Sequence, residues 1–161
     1  MDPQAAAGAA SDREPRKDPD SLQVVCPHCN TINRVQRARL GEGAKCGSCK
    51  QPLLAGHPFE LTKANFDRQV AANDLPLVVD FWAPWCGPCR SMAPAYEETA
   101  ARLAPGVRLA KLDTEAEPEI AARFGIRSIP TLIAFKNGHE VARRSGASGL
   151  SGLVEWIRAS V

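Results

Sequence analysis

The six cysteines most limit what this 161-residue chain can become, because every one of them belongs to a Cys-x-x-Cys pair. The pairs are Cys26 and Cys29, Cys46 and Cys49, and Cys86 and Cys89. Cysteines at this spacing bind metal, carry out redox chemistry or form structural disulfides, depending on the compartment. The first 20 residues contain no Leu, Ile, Val or Phe, so no secretory signal is predicted. We therefore expect a cytoplasmic protein whose cysteines serve metal binding or redox catalysis.

The composition is globular, with 44% hydrophobic and 24% charged residues. The 20 basic and 18 acidic residues leave a net charge of +2, which argues against a general nucleic-acid binder. No uninterrupted apolar run approaches the ~18 residues of a membrane span, so no membrane association is expected.

Three segments differ in character. Residues 1–20 lack large apolar side chains and are predicted to be a disordered tail. Residues 21–57 contain four of the cysteines, five basic residues, one acidic residue and no aromatic residue. This second segment is too short to fold on an apolar core of its own, so we predict that a metal holds it together. Residues 58–161 are long enough for a domain with a core.

The second segment carries the pattern of a zinc ribbon. Two Cys-x-x-Cys knuckles separated by 16 residues can supply four thiolates to one tetrahedral, structural Zn²⁺. The predicted ligands are Cys26, Cys29, Cys46 and Cys49. His28 and His57 are alternative ligands that we do not expect to bind metal. Redox-active cysteines, or iron in a similar four-sulfur site, are the competing interpretations.

The third segment alternates strand and helix patterns. The predicted strands are 77–82, 107–112, 131–135 and 140–144, after a short apolar run at 59–61, and the predicted helices are one capped by Thr62, then 86–103, 118–124 and 148–160. Asn137-Gly138 is a hairpin signal between the last two strands. These elements predict an α/β fold with a mixed sheet and helices on both faces.

The third cysteine pair lies where a predicted strand passes into a predicted helix, in Trp85-Cys86-Gly87-Pro88-Cys89. A helix N-terminus favours a thiolate at Cys86, and Cys89 lies one turn further on, within reach of a mixed disulfide. We expect Cys89 to be the more buried of the two. A second metal half-site or two inert core cysteines are the alternatives, and the flanking tryptophans and preceding strand argue against both. No bound organic cofactor is expected.

From Phe59 to the C-terminus the chain resembles the thioredoxin family. The shared motifs are Asp80-Phe81-Trp82-Ala83, Trp85-Cys86-Gly87-Pro88-Cys89, Lys111, Gly125-Ile126-Arg127-Ser128-Ile129-Pro130-Thr131, Phe135-Lys136-Asn137-Gly138 and Gly146-Ala147. The resemblance implies a thioredoxin fold and a protein-disulfide reductase that acts through a mixed disulfide. It also implies disulfide-containing proteins as substrates and a thioredoxin reductase as the electron donor.

The resemblance assigns roles to individual residues. Cys86 corresponds to the attacking thiolate and Cys89 to the resolving thiol, and the pair forms a disulfide after each turnover. Asp80 corresponds to a buried carboxylate that exchanges a proton with Cys89, and Lys111 to a lysine near that carboxylate. Pro130 corresponds to a cis-proline beside the disulfide. The implied substrate-docking surface consists of Trp85, Gly87, Pro88, Ile129, Pro130, Gly146 and Ala147.

The order of the two cysteine modules resembles a zinc-containing class of bacterial thioredoxins, and we expect a monomer. Two further hypotheses stay open. One is a zinc-dependent redox sensor or chaperone, in which oxidation ejects the metal. The other is a nucleic-acid-binding ribbon fused to a redox domain, which the net charge of +4 in residues 21–57 favours. The same segment lacks any aromatic platform for base stacking, which argues against the second hypothesis.

Overall fold

The computed structural model describes residues 18–161, so most of the predicted tail at 1–20 lies outside the described residues. Two sheets organise this part of the chain. Strands β1 (Ser21–Val25) and β2 (Ile32–Gln36) pair antiparallel, with Ser21 opposite Gln36 and Val25 opposite Ile32. A short 3₁₀ turn, Arg37–Arg39, follows β2. We call β1, β2 and the four cysteines around them the four-cysteine module.

The second sheet has five strands and mixed direction, as the sequence predicted. Its strands are β3 (Phe59–Glu60), β4 (Leu77–Trp82), β5 (Arg108–Asp113), β6 (Thr131–Lys136) and β7 (His139–Ser145). Their spatial order is β3-β5-β4-β6-β7. The pairings of β5 with β3 and β4 are parallel, whereas β4–β6 and β6–β7 are antiparallel. We call this sheet and its helices the sheet module.

Helices cover both faces of the five-stranded sheet. They are α1 (Phe66–Ala71), α2 (Gly87–Leu103), α3 (Pro118–Arg123) and α4 (Leu150–Ser160). One face packs against α1 and α3, which bury Phe66 and Ile120 there. The other face packs against α2 and α4, through Tyr96 and Ile157 among others. The predicted α/β architecture is therefore confirmed.

Strand β4 supplies both cores, because successive side chains of a strand point to opposite faces. Val79 and Phe81 join the core of α1 and α3, and Val78 joins the core of α2 and α4. By the same alternation Asp80 lies on the α2 side of the sheet, with only 1% of its surface exposed. This position puts a carboxyl group in the interior between the sheet and the α2 side of the molecule.

The start of α1 differs from the sequence prediction. The helix begins at Phe66 after Asn65, and not directly after Thr62. Thr62 instead opens a preceding turn, in which its Oγ1 accepts a hydrogen bond from the Ala64 N–H at 3.2 Å. Its carbonyl accepts from the Phe66 N–H at 2.9 Å. Thr62 thus satisfies backbone donors as predicted, but it does so for the turn that leads into the helix.

The four-cysteine module has an apolar cluster that is shared with the sheet module. Its buried members are Leu22, Val24, Cys26, Val35, Cys46, Leu53 and Leu75. Leu75, 7% exposed, comes from the loop between α1 and β4. The sequence predicted that this segment lacks a sufficient core of its own, and in the structure Leu75 of the sheet module completes that core. Leu75 lies 26 positions beyond Cys49, the last of the four cysteines.

We predict that Leu75→Ala loosens the four-cysteine module and lowers the free energy of unfolding by about 2–4 kcal/mol, as other buried leucine truncations do. Limited proteolysis should then cut within residues 21–57 faster than in the wild type. Leu103→Ala is the matched control, because Leu103 is 8% exposed and belongs to the core of α2 and α4. The control should lose similar stability without accelerated cleavage in 21–57. Equal cleavage patterns in the two variants would contradict the prediction.

Candidate active site and metal centre

The third cysteine pair lies at the N-terminus of α2. Cys86 is the residue before the helix, and Gly87 and Pro88 form its first positions. The Cys89 N–H donates a hydrogen bond to Cys86 Sγ at 3.3 Å. A disulfide joins Cys86 and Cys89, whose Cα atoms are 5.3 Å apart. The two residues are 4% and 3% exposed, so the expected difference in burial is not present in this oxidised form.

A loop from the other side of the sheet covers the sulfur of Cys86. Cys86 Sγ lies 3.8 Å from the carbonyl oxygen of Ile129. The Ile129–Pro130 peptide bond is cis, as expected from the resemblance. The Gly146 N–H donates to the Pro130 carbonyl at 2.8 Å, which brings the loop after β7 to the same place. Trp85, 65% exposed, stands beside this group.

The remaining residues of the implied docking surface, Gly87, Pro88 and Ala147, are exposed. Gly87 and Pro88 lie at the start of α2, and Ala147 lies next to Gly146. The docking-surface residues come from three separate stretches of the chain: the start of α2, the Ile129–Pro130 peptide and the segment after β7. Two hydroxyls brace the loop beside Pro130: Thr131 Oγ1 donates to the Ser128 carbonyl at 2.6 Å and lies 3.1 Å from Ser145 Oγ.

Asp80 is an isolated acid in the interior. Its Oδ1 has no hydrogen-bond partner in the part of the chain that the structure describes. Burial raises the pKa of the Asp80 carboxyl to about 7, and the positive charge of Lys111 opposes that shift. Lys111 is the residue opposite Asp80 in the β4–β5 pairing. Its Nζ lies 4.3 Å from the ring centroid of Trp82, so the lysine is held by an aromatic face.

The other four cysteines converge at one point. Their Sγ atoms all lie within 4.8 Å of one another. Cys26 and Cys49 have their sulfurs 3.6 Å apart, and so do Cys29 and Cys46. Zn–S bonds of about 2.3 Å in a tetrahedron place sulfurs about 3.8 Å apart, so the four side chains fit a zinc ion. The four-cysteine cluster is thus suited to metal binding.

Backbone and side-chain donors surround these sulfurs. The His28 N–H donates to Cys26 Sγ at 3.3 Å, and the Ser48 N–H donates to Cys46 Sγ at 3.4 Å. Hydrogen bonds from the backbone of Cys49 and from the Asn33 amide lower the pKa of Cys46 to about 6. Burial, by contrast, raises the pKa of Cys26. A thiolate at the buried Cys26 therefore needs a positive charge nearby, which a metal ion supplies.

The two histidines weighed as ligands lie apart from this cluster. His28 is exposed, and it contributes its backbone N–H to the knuckle. The Nδ1 atom of His57 lies 3.4 Å from Glu97 Oε2 on α2. The group of metal-binding side chains identified among residues 18–161 contains the four cysteines alone.

Sequence reasoning missed three buried polar residues that connect the two modules. Gln69 Nε2 donates to the Cys26 carbonyl at 2.9 Å. The Val25 N–H donates to Asn73 Oδ1 at 2.8 Å. Arg108 Nη1 donates to both amides, at 3.1 Å to Gln69 and 2.9 Å to Asn73. The available signal was weak: Arg108 is one of two charged residues, with Lys111, in the predicted strand 107–112.

Burial lowers the pKa of the Arg108 guanidinium to about 10, while negative charge on Cys26 raises it. Arg108 therefore carries its positive charge at neutral pH.

The helices among residues 18–161 include none with the length and apolar character that a membrane span requires.

Comparison with known proteins agrees with this geometry. The family model described as Thioredoxin matches residues 57–159. A second model, described as Thioredoxin 2, N-terminal, a zinc ribbon, matches residues 25–51. Both matches fall on the modules that the structure separates into two sheets.

Curated relatives carry the same family name. Thioredoxin C-3 of Corynebacterium nephridii is 44% identical over 134 residues, which is 83% of this chain and 92% of that protein. Thioredoxin of Rhodospirillum rubrum is 44% identical over 102 residues, 63% of this chain and 98% of that protein. Thioredoxin of Pyropia yezoensis is 48% identical over 98 residues, 61% of this chain and 92% of that protein.

The cysteine pair between strand and helix and the mixed five-stranded sheet agree with the thioredoxin match. The zinc-ribbon match covers the four-cysteine module at residues 25–51. The chain belongs to the thioredoxin family of thiol-disulfide oxidoreductases and is a protein-disulfide reductase.

Proposed function

We propose that Cys86 is the attacking residue and Cys89 the resolving residue of this reductase. The Cys86 thiolate attacks one sulfur of a substrate disulfide, so a Cys86–substrate bond forms and the other substrate sulfur leaves as a thiolate. Cys89, as a thiolate, then attacks Cys86 Sγ. The Cys86–Cys89 disulfide forms, the second substrate thiolate leaves, and two electrons have passed to the substrate.

The observation that carries this assignment is the hydrogen bond from the Cys89 N–H to Cys86 Sγ at the start of α2. A backbone donor and the positive end of a helix both stabilise negative charge on that sulfur. Within residues 18–161, Cys89 Sγ accepts no corresponding hydrogen bond, so the asymmetry favours Cys86 as the thiolate.

We further propose that substrate docks across the exposed group around Cys86. An extended substrate segment would pair its backbone with the chain beside Pro130. The participating residues are Trp85, Gly87, Pro88, Ile129, Pro130, Gly146 and Ala147. The proximity of the Ile129 carbonyl to Cys86 Sγ and the link between Gly146 and Pro130 support a single continuous surface.

Asp80 is proposed to accept the proton of Cys89 before the second attack. A carboxyl with a pKa of about 7 can take up and release a proton at neutral pH. Lys111 is proposed to tune that pKa, because its positive charge opposes the effect of burial on Asp80. Transfer directly or through a water molecule would serve the same step.

For the four-cysteine module we propose one structural Zn²⁺ bound by Cys26, Cys29, Cys46 and Cys49. Such an ion supplies folding energy to a unit with a small core.

We propose module boundaries at 21–57 and 58–161, with 1–20 as a tail. The protein would act as a cytoplasmic monomer. A thioredoxin reductase would reduce its disulfide after each turnover. The dithiol chemistry itself would need no organic cofactor.

The roles of the two cysteines predict different outcomes for two substitutions. Cys86→Ser should reduce insulin disulfides no faster than the uncatalysed exchange, because the attacking thiolate is gone. Cys89→Ser should still attack, and mixed disulfides with protein substrates should accumulate because nothing resolves them. Mass spectrometry of trapped adducts measures the difference. Equal trapping by the two variants would show that the roles are wrongly assigned.

The buried carboxyl predicts a pH-dependent gain in stability for Asp80→Asn. The folded pKa of about 7 lies above the ordinary aspartate value of about 3.9, so between these values the folded protein holds a proton that the unfolded chain releases. Protonation of Asp80 therefore stabilises the folded state fully below about pH 4, and this stabilisation is lost as the pH rises to about 7. The difference between the two pKa values corresponds to about 4 kcal/mol.

Urea unfolding of the oxidised protein at about pH 4 and about pH 9 tests this expectation. Asp80→Asn should gain stability of that order at the higher pH and little at the lower pH. Glu155→Gln, which removes an exposed carboxyl on α4, should change little at either pH. A gain of the same size at both pH values would contradict the proposed ionisation.

The proposed proton transfer predicts that Asp80→Asn slows turnover at neutral pH by at least about 10-fold. The formation of the mixed disulfide should change less than its resolution, because Asp80 acts on Cys89. Rapid-mixing kinetics of the two steps between about pH 6 and pH 9 measure both rates. An unchanged rate of resolution across that range would leave Asp80 with a structural role only.

A further inference from the structure

Three buried polar side chains, Gln69, Asn73 and Arg108, fill the contact between the sheet module and the four-cysteine module. Their exposed fractions are 0%, 3% and 5%. Burying so many polar groups is costly unless each of them is paired. We call these three residues the bridging network.

The bridging network connects Arg108 to two backbone groups, the Val25 N–H and the Cys26 carbonyl, which flank the Val25–Cys26 peptide. Arg108 Nη1 donates to the oxygen of each amide, and this fixes the direction in which both amides point. Gln69 then presents its Nε2 to the Cys26 carbonyl, while Asn73 uses the same Oδ1 to accept from the Val25 N–H. Asn73 Nδ2 donates to Gln69 Oε1 at 3.0 Å and closes the network. The backbone that carries Cys26 is therefore held from the other module.

Arg108 is a buried cation whose partners are neutral. Both acceptors of its Nη1 are amides, and its guanidinium lies 4.6 Å from the ring centroid of Phe59. No carboxylate lies within ion-pair distance of it among residues 18–161. Through Gln69 it is linked to the backbone carbonyl of Cys26, one of the four cysteines. Four thiolates around Zn²⁺ carry a net charge of −2, and the single positive charge of Arg108 would offset half of it.

We propose that Arg108, acting through Gln69 and Asn73, is a positioning residue for the metal centre: it sets the Val25–Cys26 backbone and supplies the buried positive charge opposite the four thiolates. The inference rests on the proposed binding of zinc by the four cysteines. Because coupling is reciprocal, zinc in turn stabilises the contact of α1 and β5 with the four-cysteine module.

Other cations near the cysteines are exposed, and they are poorer candidates for this role. Lys45 and Lys50 are on the surface, where water and salt screen their charge, and Lys50 Nζ donates to the Gly47 carbonyl. Arg34 is exposed on β2. Arg108 is enclosed, so its interaction with the thiolates is screened far less.

The experiment compares zinc retention in full-length, zinc-loaded variants by competition with a chromogenic chelator. Arg108→Met should weaken zinc binding by about 10- to 100-fold, the range found when groups that orient metal ligands are removed. Arg108→Lys keeps the charge and should recover part of that loss. Gln69→Met leaves Arg108 in place but removes the bridge to the Cys26 carbonyl, so it should also weaken binding. Arg102→Met, an exposed arginine on α2, is the matched control and should bind as the wild type does.

A second readout separates positioning from a general effect on folding. Removal of zinc from the wild type should increase hydrogen exchange in α1 and at the start of β5, and in Arg108→Met the same removal should change exchange there much less. Unchanged zinc competition in both Arg108→Met and Gln69→Met would overturn the proposal. If Arg108→Met fails to fold, Gln69→Met alone decides. A wild type that binds no zinc would overturn the proposed metal centre itself, and the loaded protein reveals that before any variant is compared.

Discussion

Both edges of β4 are paired, with β5 on one side and β6 on the other, and this pairing fixes where the chain leaves the sheet. Because α2 begins five residues after β4 ends, the position of Cys86 follows from the register of the central strand. The register also determines which side of the sheet Asp80 occupies and places Lys111 opposite it. The dithiol and its buried acid are therefore consequences of one strand rather than separately assembled parts.

Two buried ionisable groups in this protein meet the cost of burial in different ways. Asp80 can give up its charge by taking a proton, since burial moves its pKa to about 7. Arg108 cannot do so at neutral pH, because even in its buried site its pKa stays at about 10. A carboxyl that becomes neutral needs no opposite charge, whereas an arginine that stays charged needs hydrogen-bond acceptors or negative charge around it. This difference is the basis on which we propose proton transfer for Asp80 and a positioning role for Arg108.

The sequence predicted the parts of the fold and site that repeat a local pattern. The strand at Leu77–Trp82, the helix start at Cys86 and the convergence of four cysteines all follow from periodicity or spacing. It did not predict Leu75 in the core of the four-cysteine module or the bridging network, because contacts between modules leave no periodic trace in either segment. The start of α1 was misplaced because Thr62 and Asn65 are both favourable capping residues, and local chemistry does not choose between them.

The register of β4 and β5 also separates the two cysteine sites. Arg108 reaches the four-cysteine module through the side-chain amides of Gln69 and Asn73. In the sheet it pairs with Leu77, at the beginning of β4. The dithiol follows the other end of β4, where Trp82 pairs with Asp113. Five strand residues at about 3.3 Å each place about 17 Å between these ends. Thiol exchange requires sulfur atoms in contact, and the register places the contact with the four-cysteine module and the Cys86–Cys89 pair at opposite ends of β4. The bridging network links the four-cysteine module to α1 and to the beginning of β5, so it connects the metal centre to the stability of the sheet that carries the reductase site.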